Sequence, residues 1–509
     1  MRTAILLFCF FVAPSAIHAA DAPKKPNILF IFADDQSYKT VGCYPESWSW
    51  VKTPNIDALA KSGVRFHGAY LGAWCMPSRA SMLTGHHPHR IQSMRMTGDY
   101  PASTYDPKQC PFWPALFRKN GYHTAQIGKW HTGTDSGFGR DWDYQIVWNR
   151  PKHPENAGAY YEKQILAFNG EEKWQDGYPA DNYTKWAVEY VKGDHRDKDK
   201  PWFLWLCYGS IHGPSKPAAR HKGFYKNAQV PSPSDLLGPW PGKPDYLRDT
   251  LAWRKTPDGK ILATSNGEKV GDEAGGKGTE YADWVRQVNE CVPAIDEGVA
   301  KLVKALKDSG QLENTLIVYS TDQGFAMGEH GMRIKIAPYD ASYRSPLIVS
   351  MPGKVAADKT CKQVVNMPDL VATFYAFSGV KSPDDLHGRD LSALLKNPEM
   401  PWPHTCLYEH TGDHFGDDVA KVLKENAKNA TYQKVPWYTA VVVDGWKYIR
   451  YLQPGVPEEM YDLTTDPEEM ANLAGQPKHA EKLRQLREEM TVELKRTHAP
   501  AAMCPSTKP

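Results

Sequence analysis

The sequence predicts an α/β protein: a large mixed, mostly parallel sheet sandwiched by helices, followed by a smaller C-terminal antiparallel sheet with a helix. Three observations carry that expectation. Short runs such as NILFIFA (27–33), WFLWLCY (202–208) and NTLIVYS (314–320) are almost continuously apolar, as strands buried on both faces must be. Segments with helical periodicity lie between them, and after about residue 395 the pattern gives way to short strands around a tight turn.

Taken in chain order, residues 1–20 read as a secretory signal, with Arg2 at the basic end, an apolar run over Ala4 to Val12 and small residues from Ser15 to Ala20. The mature chain is expected to begin near Asp21 and to be secreted or periplasmic. The apolar run is shorter than the roughly 20 residues a bilayer span needs, and no longer one follows, so membrane insertion is not expected. Cys9 lacks the small residues that precede a lipid-modified cysteine, so a lipid anchor is not expected either. The strand at 27–33 stops at Asp34-Asp35. Thr53-Pro54, then Ile56, Leu59 and Ala60, then Gly63 supply the cap, first-turn proline, apolar face and stop of a helix.

Tyr122 to Ile127 runs into Gly128-Lys129-Trp130-His131, and 202–208 runs into Gly209-Ser210-Ile211-His212-Gly213-Pro214. Helical periodicity covers 181–191, 281–308 with a break near Pro293, and 368–377; between them 314–320 stops at Thr321-Asp322-Gln323-Gly324. Residues 223–278, rich in Pro and Gly, read as a loop insertion near the pocket. Strands at 438–443 and 445–452, joined by Asp444-Gly445, and a helix over 477–496 complete a C-terminal subdomain. The organisation expected is a signal peptide (1–20), a catalytic domain (21–394) and a C-terminal subdomain (395–509).

A chain of 509 residues can bury a large core, and its net charge of +2 offers no electrostatic case for nucleic acid or membrane as partner. Nine cysteines are dispersed without zinc-type spacing: Cys9, Cys43, Cys75, Cys110, Cys207, Cys291, Cys361, Cys406 and Cys504. Export would permit disulfides among them, and buried thiols are the other structural reading.

Chemistry concentrates where the strands end. In open α/β sheets ligands gather beyond the carboxyl ends of the strands, so these polar ends should converge. Asp34, Asp35, Asp322 and Gln323 offer hard oxygen ligands suited to calcium, or to magnesium with more water. One Asp-Asp after a strand is commonly a turn or a cap; a second, matching strand end favours a metal site. In AWCMPSRASMLTG (73–85), Cys75 stands beside Arg79 at the expected start of a helix. That setting fits a thiolate nucleophile or a disulfide partner, but hard ligands nearby suit an oxygen nucleophile better than sulfur.

The run Cys75-Met76-Pro77-Ser78-Arg79, with the following ASMLTG, resembles the signature of the type I sulfatases of the alkaline phosphatase superfamily. Asp34-Asp35, Lys129 and His131 in GKWH, His212 in IHGP, Asp322 and Gln323 in TDQG, and Lys335 after GEHG are similar to that family's positions in the same order. So are Pro338-Tyr339 with RSPLIV (344–349), and the tail from Met460 to Leu473. The resemblance runs from about residue 26 to 490; Gln323 stands where many members have Asn or His, and its amide oxygen can still ligate.

The resemblance implies an alkaline-phosphatase-like fold and oxidation of Cys75 by a formylglycine-generating maturation enzyme. It also implies a metal held by Asp34, Asp35, Asp322, Gln323 and the modified Cys75. Arg79, Lys129 and Lys335 would stabilise anionic oxygens, His212 would protonate the leaving oxygen, and His131 would act as base in releasing sulfate. The reaction implied is hydrolysis of sulfate monoesters.

Two other readings differ in outcome. A phosphodiesterase or phosphonate monoester hydrolase of the same superfamily would keep the fold, and a catalytically silent sulfated-glycan-binding protein would keep Cys75 unmodified. Export and an aromatic content of 12%, with Trp74, Trp142, Trp148 and Trp240 in loop-like settings, favour a sulfated polysaccharide or oligosaccharide as substrate. Candidate substrate contacts are His87, Arg90, Arg150, His153, Lys216, Arg220, His221 and His410.

Overall fold

The computed structural model describes residues 24–92, 95–97, 102–104, 112–264 and 278–505. The expected signal segment and Cys110 lie outside the described residues.

Ten strands form the main sheet: β1 (Asn27–Ala33), β2 (Val64–Tyr70), β3 (His123–Trp130), β4 (Tyr144–Asn149), β5 (Gln164–Phe168), β6 (Glu171–Gln175), β7 (Trp202–Cys207), β8 (Thr315–Thr321), β9 (Arg344–Ser350) and β10 (Lys359–Asn366). Their spatial order is β10-β2-β9-β8-β1-β7-β3-β4-β5-β6. The centre, β8-β1-β7-β3-β4, is parallel. Antiparallel pairs on both sides, β8 with β9 and β4 with β5, make the sheet mixed.

β1 shows why its sequence is apolar throughout. Ile28, Phe30 and Phe32 face one core, Leu29, Ile31 and Ala33 the other, and all six are fully buried. Helices cover both faces. α1 (Pro54–Lys61), α4 (Pro179–Lys192) and α6 (Val292–Asp308) pack on the Leu29 side through residues such as Leu59, Tyr183 and Leu302. α2 (Cys75–Thr84), α3 (Trp113–Lys119) and α7 (Met367–Ser378) pack on the Phe30 side through Leu83, Trp113 and Phe374. The expected break near Pro293 is real: α5 (Tyr281–Glu290) ends and Pro293 opens α6, where a missing N–H costs nothing. A capping box between Asn366 and Asp369 starts α7, and left-handed Gly379 ends it.

Residues 223–278 are largely irregular where described, with one helical turn at Tyr246–Asp249 and a short hairpin of Trp253–Lys255 with Ile261–Ala263. The second sheet is antiparallel: β11 (Cys406–His410), β12 (Tyr438–Val443), β13 (Trp446–Tyr451) and β14 (Glu459–Asp462). α8 (Ala480–Arg496) covers it by packing Leu486, Met490 and Leu494 onto Leu407, Val441 and Tyr448. This unit is joined to the main body close to Lys335. Tyr438 Oη donates to the Ile336 carbonyl at 2.7 Å, and Trp74 Nε1 donates to the Gly412 carbonyl at 3.0 Å. All seven described cysteines are free thiols.

Candidate active site

Four adjacent strands, β8-β1-β7-β3, deliver the polar ends seen in the sequence to one edge of the sheet. Asp34 and Asp35 follow β1, Asp322 and Gln323 follow β8, Lys129 lies near the end of β3, and His212 stands five residues beyond β7. The backbone fixes their registration. Asp34 N–H donates to the Ser210 carbonyl (2.9 Å), Ile211 N–H donates to the Asp34 carbonyl (2.8 Å), and one Asp322 oxygen accepts from the amides of Asp35 and Gln323 (3.1 Å each).

α2 supplies the rest. Cys75 is its first residue and Arg79 lies one turn on, so both face the strand ends. The chain enters this helix tightly: a Cβ on Gly72 would stand 1.7 Å from Ser78 Oγ, so only glycine fits there. Arg79 donates to Asp322 Oδ2 through Nη2 (2.9 Å) and Nε (3.2 Å), and its Nη2 lies 3.5 Å from Asp34 Oδ2. Lys129 Nζ pairs with Asp34. Lys335 Nζ reaches both Asp35 oxygens, at 2.9 and 3.0 Å, and Cys75 Sγ at 3.2 Å. Three carboxylates thus meet three cations, nearly all of them fully buried.

The electrostatics follow from that packing. Burial opposes ionisation of Asp34, but Lys129, His212 and Arg79 together hold its carboxyl far below the usual range. Asp322, buried beside Asp34, is pushed up to about 6. Burial and the Asp34 carboxylate push the Cys75 thiol up to about 12, the opposite of what a thiolate nucleophile requires. His131 is held neutral by burial and by Arg150, whose Nη1 lies 3.1 Å from its Nδ1. His212 is driven down to about 3, chiefly by burial, and its Nε2 lies 3.5 Å from Asp35 Oδ2.

Asp34, Asp35, Cys75 and His212 each place a donor atom within 4.8 Å of one another. Gln323 turns its amide nitrogen to Asp35, and its Oε1 is buried with no hydrogen-bond partner among the described residues. An amide oxygen so placed costs about 1–3 kcal/mol unless something takes it up. Clustered carboxylates beside an orphaned amide oxygen fit a hard, oxygen-seeking cation.

Asp35, His212 and Lys335 line a cleft of about 280 Å³, whose walls also include Trp284, Phe325, Arg333 and Gln433. Sequence reasoning did not single out these four, which come from α5, the connection between β8 and β9, and the C-terminal unit. Of the candidate substrate contacts, none is among the residues lining this cleft. Arg150 instead abuts His131; His153 pairs with Glu172, Lys216 with Glu162, and Arg220 and His221 with Glu297. His87 is buried among other histidines and His410 between Tyr432 and Tyr438, while Arg90 is exposed. Trp142 and Trp148 are fully buried core residues.

Comparison with known proteins agrees with this geometry. A family model described as "Sulfatase" matches residues 26–380, and one described as "N-sulphoglucosamine sulphohydrolase, C-terminal" matches 328–496. An N-acetylglucosamine-6-O-sulfatase of Bacteroides thetaiotaomicron is 28% identical over 91% of this chain and 85% of its own length. An ulvan-active sulfatase of Formosa agariphila is also 28% identical, over 91% of this chain and 79% of its own. A solved structure in complex with its substrate D-glucosamine-2-N,6-O-disulfate superposes with a TM-score of 0.78 at 25% identity, covering 95% of this chain and all of that one. In fold alone, a phosphonate monoester hydrolase of Agrobacterium radiobacter is also similar, with a TM-score of 0.67 at 19% identity, covering 93% of this chain and 96% of its own. The family model spans most of the chain and takes in every strand end described above, and the protein belongs to the sulfatases, enzymes that hydrolyse sulfuric esters.

Proposed function

We propose that this sulfatase removes sulfate from a sulfated polysaccharide or its oligosaccharides, using a formylglycine made from Cys75 and a bound calcium ion. The observation that carries the reading is the position of Cys75, a protonated thiol at a helix start, 3.4 Å from Asp34 and 3.2 Å from Lys335. Sulfur in that place has no useful chemistry as it stands. Oxidised and hydrated, the same side chain supplies one hydroxyl to attack sulfur and a second whose deprotonation lets sulfate leave.

Asp34, Asp35, Asp322 and Gln323 would hold the calcium, which would supply Lewis acidity to an ester oxygen. The chain's own groups do the rest. Arg79, Lys129 and Lys335 surround position 75 with positive charge and offset the charge of a sulfate oxygen. His212 Nδ1 lies 2.7 Å from the Gly213 carbonyl, which fixes the N–H on that side and turns Nε2 toward Asp35 and the cleft. To serve as the acid the ring must first carry a second proton at Nε2, beside the Asp35 carboxylate, and that imidazolium gives the proton to the leaving alkoxide as the S–O bond breaks. His131, kept neutral beside Arg150, is the base for the second step.

Carbohydrate as the substrate class is supported by the relatives: one is named for N-acetylglucosamine 6-O-sulfate, another for ulvan, and a third structure holds a glucosamine disulfate. The proposal also includes export and maturation by a formylglycine-generating enzyme.

The test has two arms. Mass spectrometry of the peptide containing position 75 should show the loss of one sulfur and two hydrogens and the gain of one oxygen. A panel of defined sulfated sugars, scored for inorganic sulfate, should show turnover that Cys75→Ala abolishes. An unmodified thiol in fully active enzyme overturns the formylglycine reading, and faster release of phosphate or phosphonate than of sulfate overturns the substrate class.

A further inference from the structure

We propose that the tandem tyrosines Tyr160 and Tyr161 are positioning residues that clamp His212 as the proton donor to the leaving group. The inference rests on the reading of His212 as that acid. His212 stands in an irregular segment beyond β7, its side chain is 23% exposed, and its own stretch of chain holds the ring by a single contact, Nδ1 to the Gly213 carbonyl at 2.7 Å. An acid that must meet one oxygen needs an external hold, because misplacement by about 1 Å can cost roughly a hundredfold in rate.

The loop between β4 and β5 provides it. The Tyr160 ring lies flat on the His212 imidazole, with centroids 4.0 Å apart and planes 5° from parallel. The next residue holds the backbone: Tyr161 Oη donates to the His212 carbonyl at 2.6 Å. One tyrosine fixes the plane of the ring and the other fixes the main chain that carries it. Tyr160 is itself locked, 3% exposed, with Trp148 edge-on at 4.9 Å and the Arg150 guanidinium 4.9 Å from its ring centre. Gly209 completes the wall: a Cβ there would stand 3.1 Å from the Tyr160 ring and 3.4 Å from Trp148. Tyr160 Oη is buried without a hydrogen-bond partner among the described residues, so the ring, not the hydroxyl, is what the site uses.

That distinction sets the experiment: kcat and KM of the mature enzyme on 4-nitrophenyl, 4-chlorophenyl and phenyl sulfate, whose leaving groups need a proton increasingly. Tyr160→Leu should lose within about threefold on 4-nitrophenyl sulfate and about a hundredfold on phenyl sulfate, with KM changed less than about twofold. Tyr160→Phe keeps the ring and should rescue the profile. Gly209→Ala and Tyr161→Phe should steepen the leaving-group dependence in the same direction by a smaller factor, and they carry the test if Tyr160→Leu does not fold. A uniform loss across the three esters, or a Phe variant as steep as the Leu variant, overturns the clamp. His212→Ala separates the two readings. If its profile steepens while the tyrosine variants stay parallel to wild type, only the clamp fails; if its own profile stays parallel, the acid assignment fails and the clamp with it.

Discussion

The two ends of α2 carry two buried polar clusters built on opposite principles. At its first turn Cys75 and Arg79 join Asp34, Asp35, Asp322, Lys129 and Lys335, where every charge has an opposite charge against it. Just beyond its last turn His86, His87 and His89 gather with His387, their rings 4.7 to 5.8 Å apart, with Glu409 as the carboxylate that binds His89 at 2.6 Å. The first cluster keeps its charges at the cost of desolvating them. The second keeps one carboxylate, Glu409, against His89 and sheds charge elsewhere: burial drives His87 down to about 3 and His387 down as well, leaving those two rings neutral in the wedge. That wedge ties α2 to β11 through Glu409 and to the chain after α8, where His89 Nε2 meets the Thr497 carbonyl at 2.9 Å. Burying a charge is costly unless it is paired, and a neutral imidazole avoids most of that cost.

The contrast is sharpest in what each end loses. Cys75→Ala should abolish multiple turnover while leaving the thermal midpoint within a few degrees, since it removes one small buried group. Asp34→Ala is the harsher change to the protein. It should lower kcat by at least roughly a thousandfold and destabilise the fold by about 3–5 kcal/mol, because buried Lys129 then lacks its carboxylate; urea melts and sulfate release measure the two effects. Chelation should act on the same end alone, removing turnover and lowering the midpoint until calcium is restored. Full activity in excess chelator would show that the carboxylates serve the cations already in the chain and no metal.

Much of this division was legible in the sequence. Continuous apolar runs ending in Asp34-Asp35 and Asp322-Gln323 located the sheet and its active edge, because strand ends in a parallel sheet converge whatever loops lie between. The same logic placed Lys129 and His212. His87, a candidate substrate contact, follows Cys75 by only twelve residues. α2 is ten residues long, however, and at 1.5 Å per residue it carries the chain about 15 Å away. Tyr160, Phe325 and Gln433 left no comparable signal. Each sits in irregular chain with no periodicity to read, and each is brought to His212 or the cleft only by how loops of different elements close over the sheet edge. The candidate contacts Arg220 and His221 illustrate the converse: basic residues near a predicted pocket found carboxylate partners on α4 and α6 instead.

The smallest expected effect lies at the histidine end and depends on pH. His87 has a folded pKa of about 3 against an ordinary value of 6.5, so the native state favours its neutral form. A depressed pKa contributes stability that is fully present above pH 6.5 and is lost as pH falls toward 3, because the unfolded chain takes up a proton that the folded one refuses. The groups facing His87 are His86, His89 and His387, with Glu409 and Arg496 acting through charge, and Glu409 is already engaged by His89. His87→Phe keeps an aromatic ring and gives up a Nε2 that has no partner. It should therefore change stability at pH 7.5 by no more than about 1 kcal/mol and leave kcat and KM on 4-nitrophenyl sulfate within about twofold. Between pH 6.5 and 4 its urea midpoint should fall less steeply than that of the wild type. A variant that loses stability with acid as fast as the parent would place the acid-sensitive group elsewhere, and one that loses activity at pH 7.5 would join the two ends of α2 into a single functional unit.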